Sequence, residues 1–400
     1  MTGARSLMLR SHCLTEVTKA GFEPLRNRSH KLRLKQCTQL PGLPRKRTES
    51  LCRCSNCIHF GIRPGPVVNG SPVKSLESTF HTQIRATAFS RDHNMRILNT
   101  MAARAIPLVP RSLIRKISRR YIAGETLCEA RTRIHALHAA GFRTTVDVLG
   151  ETASSSDQAE SMARDYLDLV QALGAANERT ELSIKLTALG LHLDEDACMA
   201  RVSMILRAAA SHGISACIDM EDISCTQKTL DAFLRLEADG YPVGIALQAY
   251  LTRTSGDIVP LQARKSRMRI CKGIYAEANE HLVDGASRDR TAINAHFVRH
   301  VSRAIQAGSF VGIATHDAQL IDALTSWLQR ERIERSRFEF QMLLGVCEPQ
   351  RDALLAQGFN VRVYVPYGHD WYGYSTRRIK ENPRIAGYIL AAMIRNARAR

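Results

Sequence analysis

The sequence predicts an α/β protein whose eight parallel strands close into a barrel. Three observations lead there. Eight short apolar or alternating segments, at residues 144–149, 182–186, 216–220, 244–249, 268–274, 310–314, 338–343 and 360–365, have the composition of buried strands. Helical segments lie between them, at 157–173, 195–212, 223–239, 257–267, 289–307, 318–332 and 349–357. No Gly-x-Gly-x-x-Gly follows the first strand, which counts against an open doubly wound sheet. Alternation of strand and helix makes a sheet parallel, and eight units close it into a distorted (βα)8, or TIM-barrel, architecture.

In chain order, residues 1–94 read as a basic extension, with the folded domain expected over 95–400. The extension is rich in Arg, Ser, Pro and Gly, has no sustained period, and carries the run Arg45-Lys46-Arg47. A cleaved organelle-targeting segment and an untranslated stretch ahead of Met95 both fit that composition. Residues 111–121 form a basic amphipathic segment. Thr126 and Glu129 then have the T-x-x-E spacing of a capping box, opening a second helix that ends near Ala140. Both helices are expected to precede or plug the barrel, and a last helix, from Tyr374, is expected over its mouth.

Hydrophobic residues make up 44% of the chain, ample for a core. No apolar run approaches the roughly 20 residues that span a bilayer, so a soluble or peripheral protein is expected. The net charge of +18 is uneven: residues 1–94 hold 16 Lys/Arg against 5 Asp/Glu, a net of +11. A nucleic-acid binder would interleave cations with aromatics across its folded part. Here the excess sits in the extension, and no nucleic-acid partner is expected. Five of the eleven cysteines fall in the first 57 residues, and Cys52, Cys54 and Cys57 have no second pair to complete a tetrahedral metal site. The other six stand singly in apolar segments, as buried free thiols would.

Chemistry-bearing residues collect at the strand ends, where barrels of this kind hold their sites. Lys185 stands in an otherwise neutral strand, either snorkelling to solvent or meeting an anion. Asp219 and Glu221 share a face by period 2, while Asp222 suits the N-cap of the next helix. Arg269, Cys271, Gly273 and Tyr275 alternate onto one face. An arginine aimed into a barrel needs a partner. Tyr374, Arg377, Arg378 and Glu381 recur at i, i+3, i+4 and i+7, so a phenol, two guanidiniums and a carboxylate share one helical face. That face is either solvated or a clamp for an anion. Together these groups offer cations for a carboxylate and aromatic walls, without a metal set or an activated Ser or Cys nucleophile. A small anionic amino acid beside an organic redox cofactor fits that inventory.

The stretch YVPYGHDWYGYSTRRIKE, residues 364–381, resembles the C-terminal signature of the proline dehydrogenases, the flavin enzymes that oxidise L-proline. Gly373 stands where that signature has proline. RICKGIY, residues 269–275, is similar to the family's RLVKGAY, departing at Cys271 and Ile274. The D-M-E of Asp219–Glu221, the Q-A-Y of Gln248–Tyr250 and the A-T-H ending at His316 also match, as do Glu339 and Gln341 on the seventh strand. The resemblance covers about residues 110–400. It implies noncovalent FAD, hydride transfer from the proline ring and release of 1-pyrroline-5-carboxylate. It further implies a membrane quinone as electron acceptor and, since 400 residues leave no room for a fused aldehyde dehydrogenase, a separate pyrroline-5-carboxylate dehydrogenase downstream. Asp219 and Arg269 take the catalytic positions. Lys185, Tyr275, Tyr364, Tyr374, Arg377, Arg378 and Glu381 fall at the substrate, with Asp219 pairing with Lys185. Met220, Gln248, Arg269, Lys272, Gly273, Ile274, Thr315 and His316 fall at the cofactor, Gly273 leaving space for the flavin ring. The expected location is the cytoplasm, with peripheral contact at an inner membrane, or the mitochondrial matrix in a eukaryotic source. The alternative within the same chemistry is a hydroxyproline dehydrogenase; relatives of that kind carry a smaller residue in place of Tyr364.

Overall fold

A computed structural model describes residues 111–174 and 179–381. The extension over 1–94, with its Cys52, Cys54 and Cys57 cluster, lies outside the described residues. Within them, α1 (Arg111–Ser118) and α2 (Leu127–Ala139) precede the sheet. The capping box closes as its spacing requires: the Glu129 amide donates to the Thr126 hydroxyl, and the Glu129 carboxylate accepts from the Thr126 amide.

Eight strands follow: β1 (Arg143–Val148), β2 (Thr180–Ile184), β3 (Ser215–Ile218), β4 (Val243–Gln248), β5 (Met268–Cys271), β6 (Val311–Ala314), β7 (Phe338–Leu343) and β8 (Val361–Tyr367). Each pairs in parallel with the next, and β8 pairs with β1, so the barrel is closed. Between them run α3 (Ser156–Leu173), α4 (Glu195–Ser211), α5 (Ile223–Ala238), α6 (Thr254–Arg264), α7 (Asn294–Ala307), α8 (Ala318–Arg330) and α9 (Glu348–Ala356), and α10 (Trp371–Glu381) ends the described chain. Ser155, Asp194, Asp222 and Asp317 cap the N-termini of α3, α4, α5 and α8 with side-chain oxygens. Among the described residues no helix is long and apolar enough to cross a membrane.

Several boundaries differ from the sequence expectation. β2 and β3 stop at Ile184 and Ile218, which puts Lys185 and Asp219 one residue beyond the ladder, in the barrel mouth. β5 stops at Cys271, because Gly273 takes a left-handed φ of 101° that no strand continues. The segment 289–307 opens as a 3-10 turn before α7. Of the six cysteines expected to be buried, Cys128 and Cys347 are exposed and Cys271 is half-buried, since α2 and the turn into α9 present them to solvent.

Period 2 divides the strands between two environments. The outward residues, among them Val146, Leu182, Ile184, Ile218, Ile245, Ile270, Ile313, Phe340 and Val363, are fully covered by the helices. Each such side chain stabilises the fold by about 1.5–3 kcal/mol. Trp327 of α8, fully buried, is the largest residue in that layer. Many of the inward residues are polar, among them Thr145, Glu181, Ser183, Arg269, Glu339, Gln341 and Arg362. Glu181 of β2 bonds Arg269 of β5 although those strands are not neighbours, so the two meet through the lumen.

His300 of α7 is 2% exposed, and its Nε2 has no hydrogen-bond partner among the described residues. Burial, reinforced by His296, Arg299 and Arg303, pushes its pKa down to about 4. The folded protein therefore keeps His300 neutral, while the unfolded chain protonates it near pH 6.5. Its contribution to stability is complete above about pH 6.5 and is lost as pH falls towards 4. His300→Leu is expected to lose less unfolding free energy than the parent between those pH values, read by urea titration at each; an unchanged pH dependence would contradict the assignment.

Candidate active site

Arg269 stands inside the barrel, and its guanidinium organises what surrounds it. Nη2 donates to Glu181 Oε2 at 2.9 Å, Nη1 to Asp219 Oδ1 at 2.6 Å and to Ser183 Oγ at 3.4 Å, and Nε to Gln341 Oε1 at 2.7 Å. The sequence left its partner open to the cofactor; the structure fills most of its donors from β2, β3 and β7. Gln341 is held in turn, its Nε2 donating to Glu339 Oε1 at 2.9 Å. Glu339 also accepts from Arg362 Nε at 2.5 Å, and Arg362 Nη1 donates to the Thr144 carbonyl at 2.7 Å. A continuous hydrogen-bonded chain thus runs from Arg362 to Asp219. Burial raises the pKa of the Glu181 carboxyl, but Arg362, Arg267 and Arg269 outweigh it and hold the pKa at about 2.

Above this chain lies the mouth. Asp219 takes Arg269 on one oxygen and the Tyr364 hydroxyl on the other, at 2.8 Å. Its backbone amide donates to the Ile184 carbonyl, which extends the ladder far enough to fix it. The Tyr364 ring lies 5.6 Å from the Arg269 guanidinium carbon. The ammonium of Lys185 contacts Asp147 of β1 and stands 4.0 Å from Asp219. Asp147, 1% exposed, is thus the near partner of Lys185, where the sequence had assigned Asp219. Burial opposes charge on Lys185, but Asp147 and Asp219 prevail and raise its pKa, so it remains an ammonium. Glu221 binds the Thr187 amide and hydroxyl, at 3.1 and 2.5 Å, and its carbonyl accepts from Gln248 Nε2 at 2.8 Å. Both groups hold loops together beside the mouth, and Met220, 6% exposed, packs in the core beneath.

A second polar cluster lies at the ends of β5 and β6. Lys272 Nζ meets Asp317 Oδ2 at 2.7 Å, and Arg290 Nη2 donates to the Gly273 carbonyl at 2.5 Å. Thr315 Oγ1 accepts from the Asp317 amide at 3.1 Å, and His316 Nε2 accepts from the Leu343 amide at 2.8 Å. A Cβ on Gly273 would lie 2.2 Å from the Tyr250 ring, so the protein itself requires glycine there. The Tyr250 hydroxyl bonds the carbonyl of half-buried Tyr275, and Ile274 between them is exposed. Tyr374 packs into a small separate core with Tyr121, Ile122 and Leu149, tying α10 to the segment between α1 and α2. The side chains of Arg377, Arg378 and Glu381 lie outside the described residues. Among the described residues no cluster of His, Cys, Asp or Glu is arranged to hold a metal.

Sequence reasoning missed Asp147, Glu181, Ser183 and Arg362. Glu181 and Ser183 are in phase with Lys185, and Arg362 with Tyr364, the one signal that pointed inward; Asp147 had no such neighbour on its strand. Gly312 of β6 belongs to the same design, since a Cβ there would lie 2.4 Å from Gln341 Nε2. Gly312→Ala is expected to displace the Gln341 amide and destabilise the protein by about 1–3 kcal/mol, measured by denaturant titration. Parental stability in that variant would show that Gln341 is not confined there.

The family model for proline dehydrogenase matches residues 130–389. Proline dehydrogenase 1 of Bacillus subtilis subsp. natto is 34% identical over 278 residues, 70% of this chain and 91% of its own length. The proline dehydrogenase of Deinococcus radiodurans is 34% identical over 284 residues, 70% of this chain and 90% of its own length. Among solved structures, proline utilization A of Bdellovibrio bacteriovorus, inactivated by N-propargylglycine, superposes with a TM-score of 0.63 at 19% identity. That match covers 78% of this chain and 41% of the solved chain, and the likeness concerns the fold. With an Arg269–Asp219–Tyr364 set hydrogen-bonded at the mouth of a (βα)8 barrel, and two thirds of the sequence matching one family, the chain belongs to the proline dehydrogenases.

Proposed function

We propose that the chain catalyses FAD-dependent oxidation of L-proline to 1-pyrroline-5-carboxylate. The observation that carries this is the mouth, where the Lys185 ammonium, Asp219 and the Tyr364 phenol converge on one small space above Arg269. Lys185, with Arg377 and Arg378 of α10, would take the substrate carboxylate. Tyr364 would wall the ring, with Tyr275 at the β5 end, and Asp219 would hold Tyr364 and Arg269 in register.

The polar cluster at the ends of β5 and β6 would hold the cofactor. Lys272, on the Asp317 carboxylate, and Arg290, on the Gly273 carbonyl, put two cations at the ends of β5 and β6, a donor set that suits a diphosphate. Exposed Ile274 offers apolar surface beside them, and Gln248, Met220, Thr315 and His316 would shape the floor. When bound, FAD supplies a two-electron acceptor for the hydride from the proline ring carbon beside nitrogen. The ring ammonium must lose its proton first, and the positive charges of Lys185 and Arg269 favour that loss. Onward transfer of electrons to a membrane quinone, and of the product to a separate pyrroline-5-carboxylate dehydrogenase, completes the reading. We place the enzyme in the cytoplasm at the inner membrane face, or in a mitochondrial matrix.

Tyr364 favours proline over its hydroxylated relative. A ring hydroxyl against that phenol face would lose water without a partner, at about 1–3 kcal/mol. L-Proline is therefore expected to exceed trans-4-hydroxy-L-proline at least tenfold in kcat/KM, and Tyr364→Ser to narrow the ratio, mostly through loss of proline activity. Equal efficiency with the unaltered enzyme would favour the hydroxyproline dehydrogenase instead.

A further inference from the structure

The Lys185 ammonium sits on a four-carbon stem with free rotation about every bond, and something must fix it if it is to receive a carboxylate at a defined point. The stem begins one residue beyond the ladder of β2, so the strand does not fix it. Its near contact is Asp147, which is 1% exposed and lies on β1, two residues along the inward face from Thr145. The backbone of Asp147 is held on both sides, paired with Ser183 of β2 and Pro366 of β8. The charged and titratable groups around the pair are Asp219 and Glu221 past β3, Arg269 of β5, Tyr364 and Tyr367 of β8, and Tyr166 of α3. Asp219 is the alternative anchor, 4.0 Å from the ammonium, but both of its oxygens are engaged by Arg269 and Tyr364. Asp147 also interacts with the Tyr364 hydroxyl, but no arginine bonds it.

We propose that Asp147 is the positioning residue of the substrate's carboxylate site, acting through Lys185. It holds one N–H of the ammonium and leaves the others to an anion entering the mouth. Without its charge, Lys185 closes on Asp219, which turns the cation away from the substrate and disturbs the Arg269 and Tyr364 contacts. The inference rests on proline oxidation as the activity and on Lys185 as a carboxylate partner, neither of which assigns a role to Asp147.

The test is a double-mutant cycle of Asp147→Asn, Lys185→Met and the pair, in flavin-loaded enzyme, with KM and kcat for L-proline measured separately. Asp147→Asn is expected to raise KM about tenfold, the scale of one charge-assisted hydrogen bond, with kcat changed less. In the Lys185→Met background the same substitution is expected to add less than twofold, because the residue it acts through is gone. Asp147→Glu, which restores the charge, should recover KM at least in part. An unaltered KM in Asp147→Asn beside a raised one in Lys185→Met overturns the proposal. So does an equal multiplication of KM in both backgrounds, which would mark Asp147 as merely structural. If Lys185→Met itself leaves KM unchanged, the carboxylate assignment of Lys185 falls and this proposal with it, while proline turnover by the unaltered enzyme still stands.

Discussion

The constraint on which the rest depends is a permanently charged guanidinium inside a barrel that excludes water. Taking an ion out of water costs several kcal/mol unless partners surround it, and removing one partner leaves the others unpaired. Arg269 is 6% exposed and is met by Glu181, Asp219 and Gln341. Those partners carry their own requirements. Glu181 also takes Arg267, Gln341 needs Glu339, Glu339 needs Arg362, and Arg362 needs the backbone carbonyls of Thr144 and Arg179. One arginine near the mouth thus dictates side chains on β2, β7 and β8 and at the end of β3, down to the opposite end of the lumen.

Barrels of this class usually fill their interior with branched apolar side chains. Here apolar packing is delegated to the outer face, under the helices, and the lumen carries ions. An apolar lumen of equal volume would be at least as stable, since buried ion pairs rarely repay their desolvation. What the charged lumen supplies is placement: Asp219 receives the Arg269 fork on one oxygen and the Tyr364 hydroxyl on the other, and has little freedom left. The proposed reaction, which would hold a small ring against a flat cofactor, needs that fixity more than the fold needs the stability.

Most of the architecture was legible in the sequence because it rests on period. Eight strands and the helices between them follow from alternation and helical spacing, and the Thr126–Glu129 box and the Asp222 cap follow from short-range hydrogen bonding. The strand ends were less legible, since Lys185 and Asp219 look like strand residues until the ladder is seen to stop before them. Of the site, the residues that break an apolar run loudly, Lys185 and Arg269, could be read directly. Asp147, Glu181 and Arg362 could not, because each is a single charge whose partner lies on a strand distant in sequence. The Tyr250 ring against Gly273 was not legible either, because the two meet across strands remote in sequence.

If the fork of Arg269 sets the site, then charge alone should not replace it. A lysine there keeps the cation but cannot reach Glu181, Asp219 and Gln341 together. The most direct measurement is therefore the kcat/KM for L-proline of Arg269→Lys beside its thermal midpoint. The account predicts a loss of at least tenfold, the scale of one charge-assisted hydrogen bond, with the protein still folded. Parental kcat/KM in a folded Arg269→Lys enzyme would contradict it.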